Sequence, residues 1–313
     1  MRGHTITVAS VDDRDGDDGV PSTLRIALDA DGLLPTSDPD AYDVFLSAHP
    51  TPPRPWVAVA DVERAAAELA RAANAHADAV TVLLEVLRVT EALPLAAALT
   101  VESLGYSTLL GGQDFREWLA RRPASTARLP LAQPLRVERE ADLVTLTLAD
   151  PARLNAYSSA MRDSLAYALD SCLVDPTRPA VVLRGAGRAF CAGGALDDFG
   201  RARDLAEAHR VRLAQSAVLR IATLGARASA VVHGAVVGSG IEIAAATARV
   251  VARRDAWFWL PELAMGLIPG AGGTATIARR VGRHRAAYLM LSGVRLAVGD
   301  ALAWGLVDEV VPS

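Results

Sequence analysis

From residue 135 onward the chain repeats one pattern: a short apolar run, a turn, and then a stretch with helical spacing. The runs "DLVTLTLA", "PAVVLRG", "ASAVVHGA", "RVVARR" and "AWFWLPEL" are interleaved with helical stretches at "SSAMRDSLAYALDSCL", "RDLAEAHRVRLAQSAVLRIATL", "IEIAAAT" and "TATIARRVGRHRAAYLML". Strand followed by helix, several times over, predicts an α/β domain. Parallel strands need a crossover between them, and a helix is what covers the apolar face of the sheet, so the strands are expected to be largely parallel.

The chain ahead of this repeat reads differently. Residues 1–60 mix β-like runs ("HTITVAS", "STLRIAL", "YDVFLSA", "WVAVA") with Asp/Gly and Pro clusters, which predicts a small β or irregular segment. Within it, "DDRDGDDG" alternates Asp13, Asp15 and Asp17 like a calcium loop. Counting from Asp13, however, Asp18 stands where the sharp turn needs glycine and Leu24 where the bidentate glutamate belongs, so the stretch reads as a solvated turn. Residues 61–122 carry apolar residues at three- and four-residue spacing, opened by Asp61 as a helix cap and interrupted at Gly111-Gly112. Phe115, Trp118 and Tyr106 in that segment read as packing residues. The Pro/Ala/Ser-rich stretch 123–134 reads as a linker, and 135–313 as the second, α/β domain.

Composition narrows the partners. A net charge of -4 with no basic stripe suggests neither nucleic acid nor an anionic membrane. Apolar runs are broken by Glu, Arg or His before they could span a bilayer. The two cysteines, Cys172 and Cys191, lack metal-ligand spacing and a secretory leader, which predicts free thiols in a reducing cytoplasm and no metal site.

Three strand ends open into glycine, at "GAGRAFCAGGAL", "HGAVVGSG" and "GLIPGAGGT". Where such a turn starts a helix, backbone N–H groups converge on one anionic atom. A dinucleotide fingerprint fails at Gly238-x-Gly240, because its third glycine position is Ile243. A nucleophile elbow at Ser239 would need glycines where Val237 and Ile241 stand, which leaves a Ser239/His233 hydrolase only as an alternative. Two carboxylates remain beside these turns in apolar settings, Glu242 and Glu262. Each taken singly reads equally as an exposed helix-start residue; if buried, each would have a raised pKa suited to proton exchange near neutrality.

These motifs together resemble the enoyl-CoA hydratase/isomerase, or crotonase, family over residues 135 to 312. The matching stretches are "DPARLNAYSSAM", "VVLRGAGRAFCAGGAL", "VVHGAVVGSGIEIAAATARVVAR", "LPELAMGLIPGAGGT" and "AVGDALAWGLVDEVVP", in the family order. The resemblance implies an α/β fold of repeated ββα turns, a crotonase-like superhelix, carrying here an N-terminal and largely helical extension. It also implies a homo-oligomer, either a trimer or a pair of trimers. It implies an acyl-CoA substrate, with coenzyme A entering as part of the thioester and no separate cofactor. The amides of Gly194 and Ser239 would form the oxyanion hole. Glu242 would deprotonate the attacking water and Glu262 would exchange the α-proton. Ala192 is expected at the adenine, with Arg153 and Arg188 as candidate phosphate contacts that read equally as solvated surface residues.

Two departures qualify the resemblance. Ala195 replaces a common acidic residue after the first oxyanion donor, and Ser239 replaces a glycine, which would strain the backbone if φ there were positive. His233, where Asn is common, reads as a satisfied turn histidine. The family usually continues past "GLVDEVVP" into helices that cover the site, and the helices of 61–122 are expected to take that place. The expected activity is that of a cytoplasmic hydratase/dehydratase. Its alternatives are a double-bond isomerase, a cofactor-free oxygenase of aryl-acetyl-CoA, and a noncatalytic partner subunit.

Overall fold

A computed structural model describes residues 5–10, 23–122, 131 and 133–312. The acidic stretch at 12–19 and most of the 123–134 linker lie outside the described residues.

The N-terminal part begins with a four-stranded sheet of β1 (Thr5–Ser10), β2 (Thr23–Asp29), β3 (Val44–Ser47) and β4 (Val57–Ala58) in that order. β1 and β2 pair antiparallel, whereas β2, β3 and β4 run parallel. Helices α1 (Val62–Ala75), α2 (Ala77–Thr90), α3 (Leu95–Leu110) and α4 (Gln113–Arg121) follow. Asp61 caps α1, its side chain accepting from the Arg64 amide at 2.9 Å. Gly111 and Gly112 separate α3 from α4, as their position predicts.

The second part runs β5 (Leu135–Glu140), β6 (Leu143–Leu148), α5 (Ser159–Val174), β7 (Ala180–Gly185), β8 (Ala189–Cys191), α6 (Leu205–Ala214) and α7 (Ala217–Leu224). It continues with β9 (Ala228–Val232), β10 (Ala235–Val237), α8 (Ser239–Ala245), β11 (Arg249–Arg253) and β12 (Trp257–Trp259). α9 (Gly273–Val281), α10 (Arg283–Ser292), β13 (Leu296–Ala297), α11 (Val298–Trp304) and β14 (Glu309–Val311) complete it. Two stretches that read as single helices are pairs instead. Gln215 and Ser216 divide α6 from α7, and Gly282, with φ +86°, divides α9 from α10. A side chain at Gly282 would have to adopt a left-handed backbone, which is why the helical spacing continues but the helix does not.

Each repeat places one strand in each of two sheets. β7, β9 and β11 lie in a six-stranded sheet of order β14-β11-β9-β7-β6-β5, while β8, β10 and β12 lie in a four-stranded sheet of order β13-β12-β10-β8. The pairings are parallel except β5–β6 and β12–β13. This is the ββα superhelix. Alternate residues of its strands point into one core: Val181 and Leu183 from β7, Ala230 and Val232 from β9, Val250 and Ala252 from β11 are all buried. Burial of each branched side chain contributes about 1.5–3 kcal/mol.

The N-terminal part packs onto this superhelix. α1 and β3 lie against α10, α2 and α3 against α9, and α4 against the turn Glu262–Met265. Gly105 lets α2 and α3 approach, since a Cβ there would meet Val82 Cγ1 at 2.9 Å. Buried arginines reach across the contact, and Arg283 Nε, which makes no hydrogen bond among the described residues, is paired in charge with Glu91 Oε2 at 3.0 Å. Arg285 donates from Nε to the Trp56 carbonyl (3.0 Å) and from Nη2 to the Pro52 carbonyl (2.8 Å), and Arg283 Nη2 reaches Asp40 Oδ1 at 3.0 Å.

Candidate active site

The loops at three strand ends enclose a cavity of about 680 Å³ between the two parts of the chain. Glu242, Glu262, Gly194 and Ser239 all line it. Tyr106 packs against the core, as its spacing predicts, and lines the cavity as well. Phe115 and Trp118 do pack, their rings stacked with centroids 5.8 Å apart.

Glu242 stands on the first turn of α8 and is 1% exposed. Its Oε2 accepts from the amides of Ala271 (2.7 Å) and Gly273 (2.8 Å). Burial raises its pKa to about 7 against the pull of those two amides and of the Arg212 charge. Glu262 follows Pro261 at the start of a 3-10 turn, and its Oε2 is buried with no hydrogen-bond partner among the described residues. Burial, then the charge on Glu242, raises its pKa well above the ordinary carboxyl range. The two acids thus differ in kind: two amides favour the charged form of Glu242, and Glu262 has no such support at Oε2.

Glycine makes room for both. Gly238, at φ +46°, sits where a Cβ would come within 2.6 Å of Glu262 Oε1. The left-handed turn before α8 therefore falls on Gly238, and Ser239 is not among the residues with positive φ, so the strain expected at Ser239 does not arise. Gly194 passes close to the Phe199 ring, which a Cβ would meet at 2.9 Å, and that Cβ position lies 4.0 Å from Ser239 Oγ. The amides of Gly194 and Ser239 donate to no acceptor among the described residues. Ala195 is buried and its amide donates to the Tyr157 carbonyl.

The other candidates lie apart from the cavity lining. The Ala192 amide is already engaged by the Leu154 carbonyl at 3.0 Å. Arg153, read as possible solvated surface, is instead nearly buried, its side chain 9% exposed and bonded to Asp197 Oδ2 at 3.1 Å. Arg188 is exposed. His233 bonds the Gly187 carbonyl through Nε2 at 2.9 Å, away from Ser239, as a turn histidine would. Cys172 and Cys191 are buried free thiols. Among the described residues no cluster of His, Cys, Asp or Glu side chains could hold a metal ion, and no helix is long and apolar enough to cross a membrane.

Sequence reasoning missed one site residue. Glu102 of α3 is 2% exposed, lines the same cavity and belongs to the segment read only as helical cover. Its spacing on α3 gave no signal, because a glutamate between apolar positions is the ordinary mark of a solvated helix face.

Comparison with known proteins identifies the family of the second part of the chain. The profile of the enoyl-CoA hydratase/isomerase family matches residues 138–313. The 1,2-epoxyphenylacetyl-CoA isomerase of Escherichia coli (strain K12) is 37% identical over 177 residues, which cover 55% of this chain and 67% of that protein. The 2,3-dehydroadipyl-CoA hydratase of the same organism is 35% identical over 177 residues, covering 56% and 69%. The crystal structure of an enoyl-CoA hydratase from Thermoplasma volcanium GSS1 superimposes with a TM-score of 0.53 at 33% identity, over 58% of this chain and 73% of that one.

Proposed function

Because the chain belongs to the enoyl-CoA hydratase/isomerase family, we propose that it adds water across, or removes it from, the α,β double bond of an enoyl-CoA thioester. The observation that carries this reading is the pairing of two unlike acids in one cavity, Glu242 braced by two amides and Glu262 with its buried Oε2 unpartnered.

In hydration, Glu242 holds a water through its remaining lone pairs and takes its proton as the oxygen attacks the β-carbon. Charge moves onto the thioester oxygen, where the amides of Gly194 and Ser239 stabilise it. Protonated Glu262 then delivers a proton to the α-carbon, and dehydration retraces these steps. A braced charged carboxylate suits the base, and a desolvated neutral carboxyl suits the acid. Among the arginines singled out as candidate CoA-phosphate contacts, Arg188 is the exposed one; Arg153 is tied to Asp197.

The test is turnover of crotonyl-CoA by the full chain, followed by loss of the absorbance of the conjugated thioester and identification of the product. Glu242→Gln and Glu262→Gln should each lower turnover by roughly 10²- to 10⁴-fold. Unchanged turnover in both would end the hydratase reading, and a shifted double bond without added water would make the protein an isomerase.

A further inference from the structure

Residues 62–121 precede the stretch matched by the family profile, yet one of their side chains enters the acid/base site. Glu102 Oε1 accepts from the Gly272 amide at 2.7 Å. Its Oε2 accepts from the Thr274 amide at 2.8 Å and from the Thr274 hydroxyl at 2.7 Å. The amides that alternate with these, Ala271 and Gly273, hold Glu242 Oε2. Four consecutive amides, the last two before α9 and the first two of α9, therefore alternate between two buried carboxyls.

We propose that Glu102 is a positioning residue of the acid/base site: by gripping Gly272 and Thr274 it fixes the loop whose other two amides aim Glu242, so that the N-terminal part completes the site. This rests on the hydratase reading above.

Capping α9 does not by itself account for the arrangement. One carboxylate, or a neutral Ser or Asn, satisfies a helix start. A second buried carboxyl on the same loop repels the first, and burial with that repulsion raises Glu102 to about 8. Repulsion is mutual, so the two carboxyls titrate as a pair. The groups facing them are Glu262 beyond α8, Tyr106 on α3 itself, and Arg212 on α6. Arg212 Nη1 donates to Ser103 Oγ at 2.8 Å, its guanidinium lies 4.5 Å from the Tyr106 ring centroid, and His209 shares the Ser103 hydroxyl. The residues beside Glu102 on α3, Ser103 and Tyr106, thus hold the Arg212 cation at the border of the same cavity.

The experiment uses the full chain and three variants, Glu102→Gln, Glu102→Asp and Thr274→Val, with folding checked by circular dichroism melting. Two readouts are needed: kcat and KM on crotonyl-CoA across pH, and the substrate-free titration of the buried glutamates by carbon-13 carboxyl NMR. Glu102→Gln should lower kcat roughly tenfold or more at little change in KM, because a shifted loop misaims the base while leaving the thioester's own contacts in place. It should also remove the later of the pair's two steps, near pH 8, and move the Glu242 carboxyl resonance as its amide donors shift. Glu102→Asp should restore the second step and part of kcat. Thr274→Val removes one donor from the charged Glu102, so it should move the later step to higher pH and shift the same resonance by less.

An unchanged kcat in folded Glu102→Gln, or a Glu242 carboxyl resonance that does not move, overturns the proposal. If Glu102→Gln does not fold, the same result in Thr274→Val overturns it equally. A wild-type chain that turns over no enoyl-CoA, but whose Glu242 carboxyl resonance moves in these variants, removes the hydratase reading and keeps the coupling of Glu102 to Glu242.

Discussion

Glu242 and Gly273 define each other's place: the Gly273 amide donates to Glu242 Oε2 at 2.8 Å, and a Cβ on residue 273 would lie 2.7 Å from Glu242 Cγ. The same closeness that makes the hydrogen bond leaves no space for a methyl group.

Gly273→Ala should therefore act on the base more than on the fold. The new methyl must push either the Glu242 side chain or the loop by several tenths of an ångström. Turnover of crotonyl-CoA is expected to fall by about 10²-fold, as for a misplacement near 1 Å. Steady-state kinetics set beside a thermal melt of the same variant check it.

The pH profile should have its acidic limb near pH 7. Glu242 must be ionised to accept a proton from water, and burial raises its pKa to about 7, so kcat/KM falls as pH drops through that value. Glu262, whose pKa burial also raises, must be protonated in the hydration direction, so activity falls again as it ionises. Initial hydration rates across the neutral range decide this, and a limb near the ordinary carboxyl value of 4.5 would contradict it.

Stability should decline from acid toward alkali over part of the same range. Glu102 and Glu242 have folded values of about 8 and about 7, against 4.5 for the free carboxyl. Between those limits the folded chain binds protons that the unfolded chain has released, so the stability of the fold falls as pH rises. Denaturant titrations at pH 5 and pH 8 measure the slope, and Glu102→Gln should flatten it.

Asn155→Ala should be strongly destabilising. Asn155 is fully buried with φ +55°, its Nδ2 donates to the carbonyls of Ala186 and Ala189 at 2.8 Å each, and its Oδ1 accepts from the Asp150 amide at 2.9 Å. Removing it leaves those groups unpaired and forces alanine into a left-handed backbone, for a loss of about 3 kcal/mol or more. A shift in the urea midpoint reads the loss.

Asp61→Ala should cost about 1 kcal/mol, the usual worth of a helix cap, with turnover unchanged because α1 faces α10 and not the cavity. Urea melts and kinetics on one sample separate the two effects.

Much of this was legible in the residues alone. Glycines at 238 and 272, the cap at Asp61 and the break at Gly111-Gly112 act through their own backbone, so their effect is local and readable. The alternation of strand and helix in the core was legible for a similar reason, since each strand end and its turn carry their own signal; the ββα order was implied only by the family resemblance. Glu242 and Glu262 stood out because their neighbours in the chain are apolar.

What the tertiary structure alone decided depends on residues far apart in the chain. Helical spacing tells which face of α3 is apolar but not which element meets it, so Glu102 looked like a solvated carboxylate until its partners, 170 and 172 positions away, were known. Arg153 looked exposed because nothing beside it in sequence announces Asp197. Tyr106 borders the cavity because Gly270 lies under its ring, where a Cβ would come within 2.4 Å. Burial of a charge is a property of the assembled solvent boundary, and no single segment of chain contains that boundary.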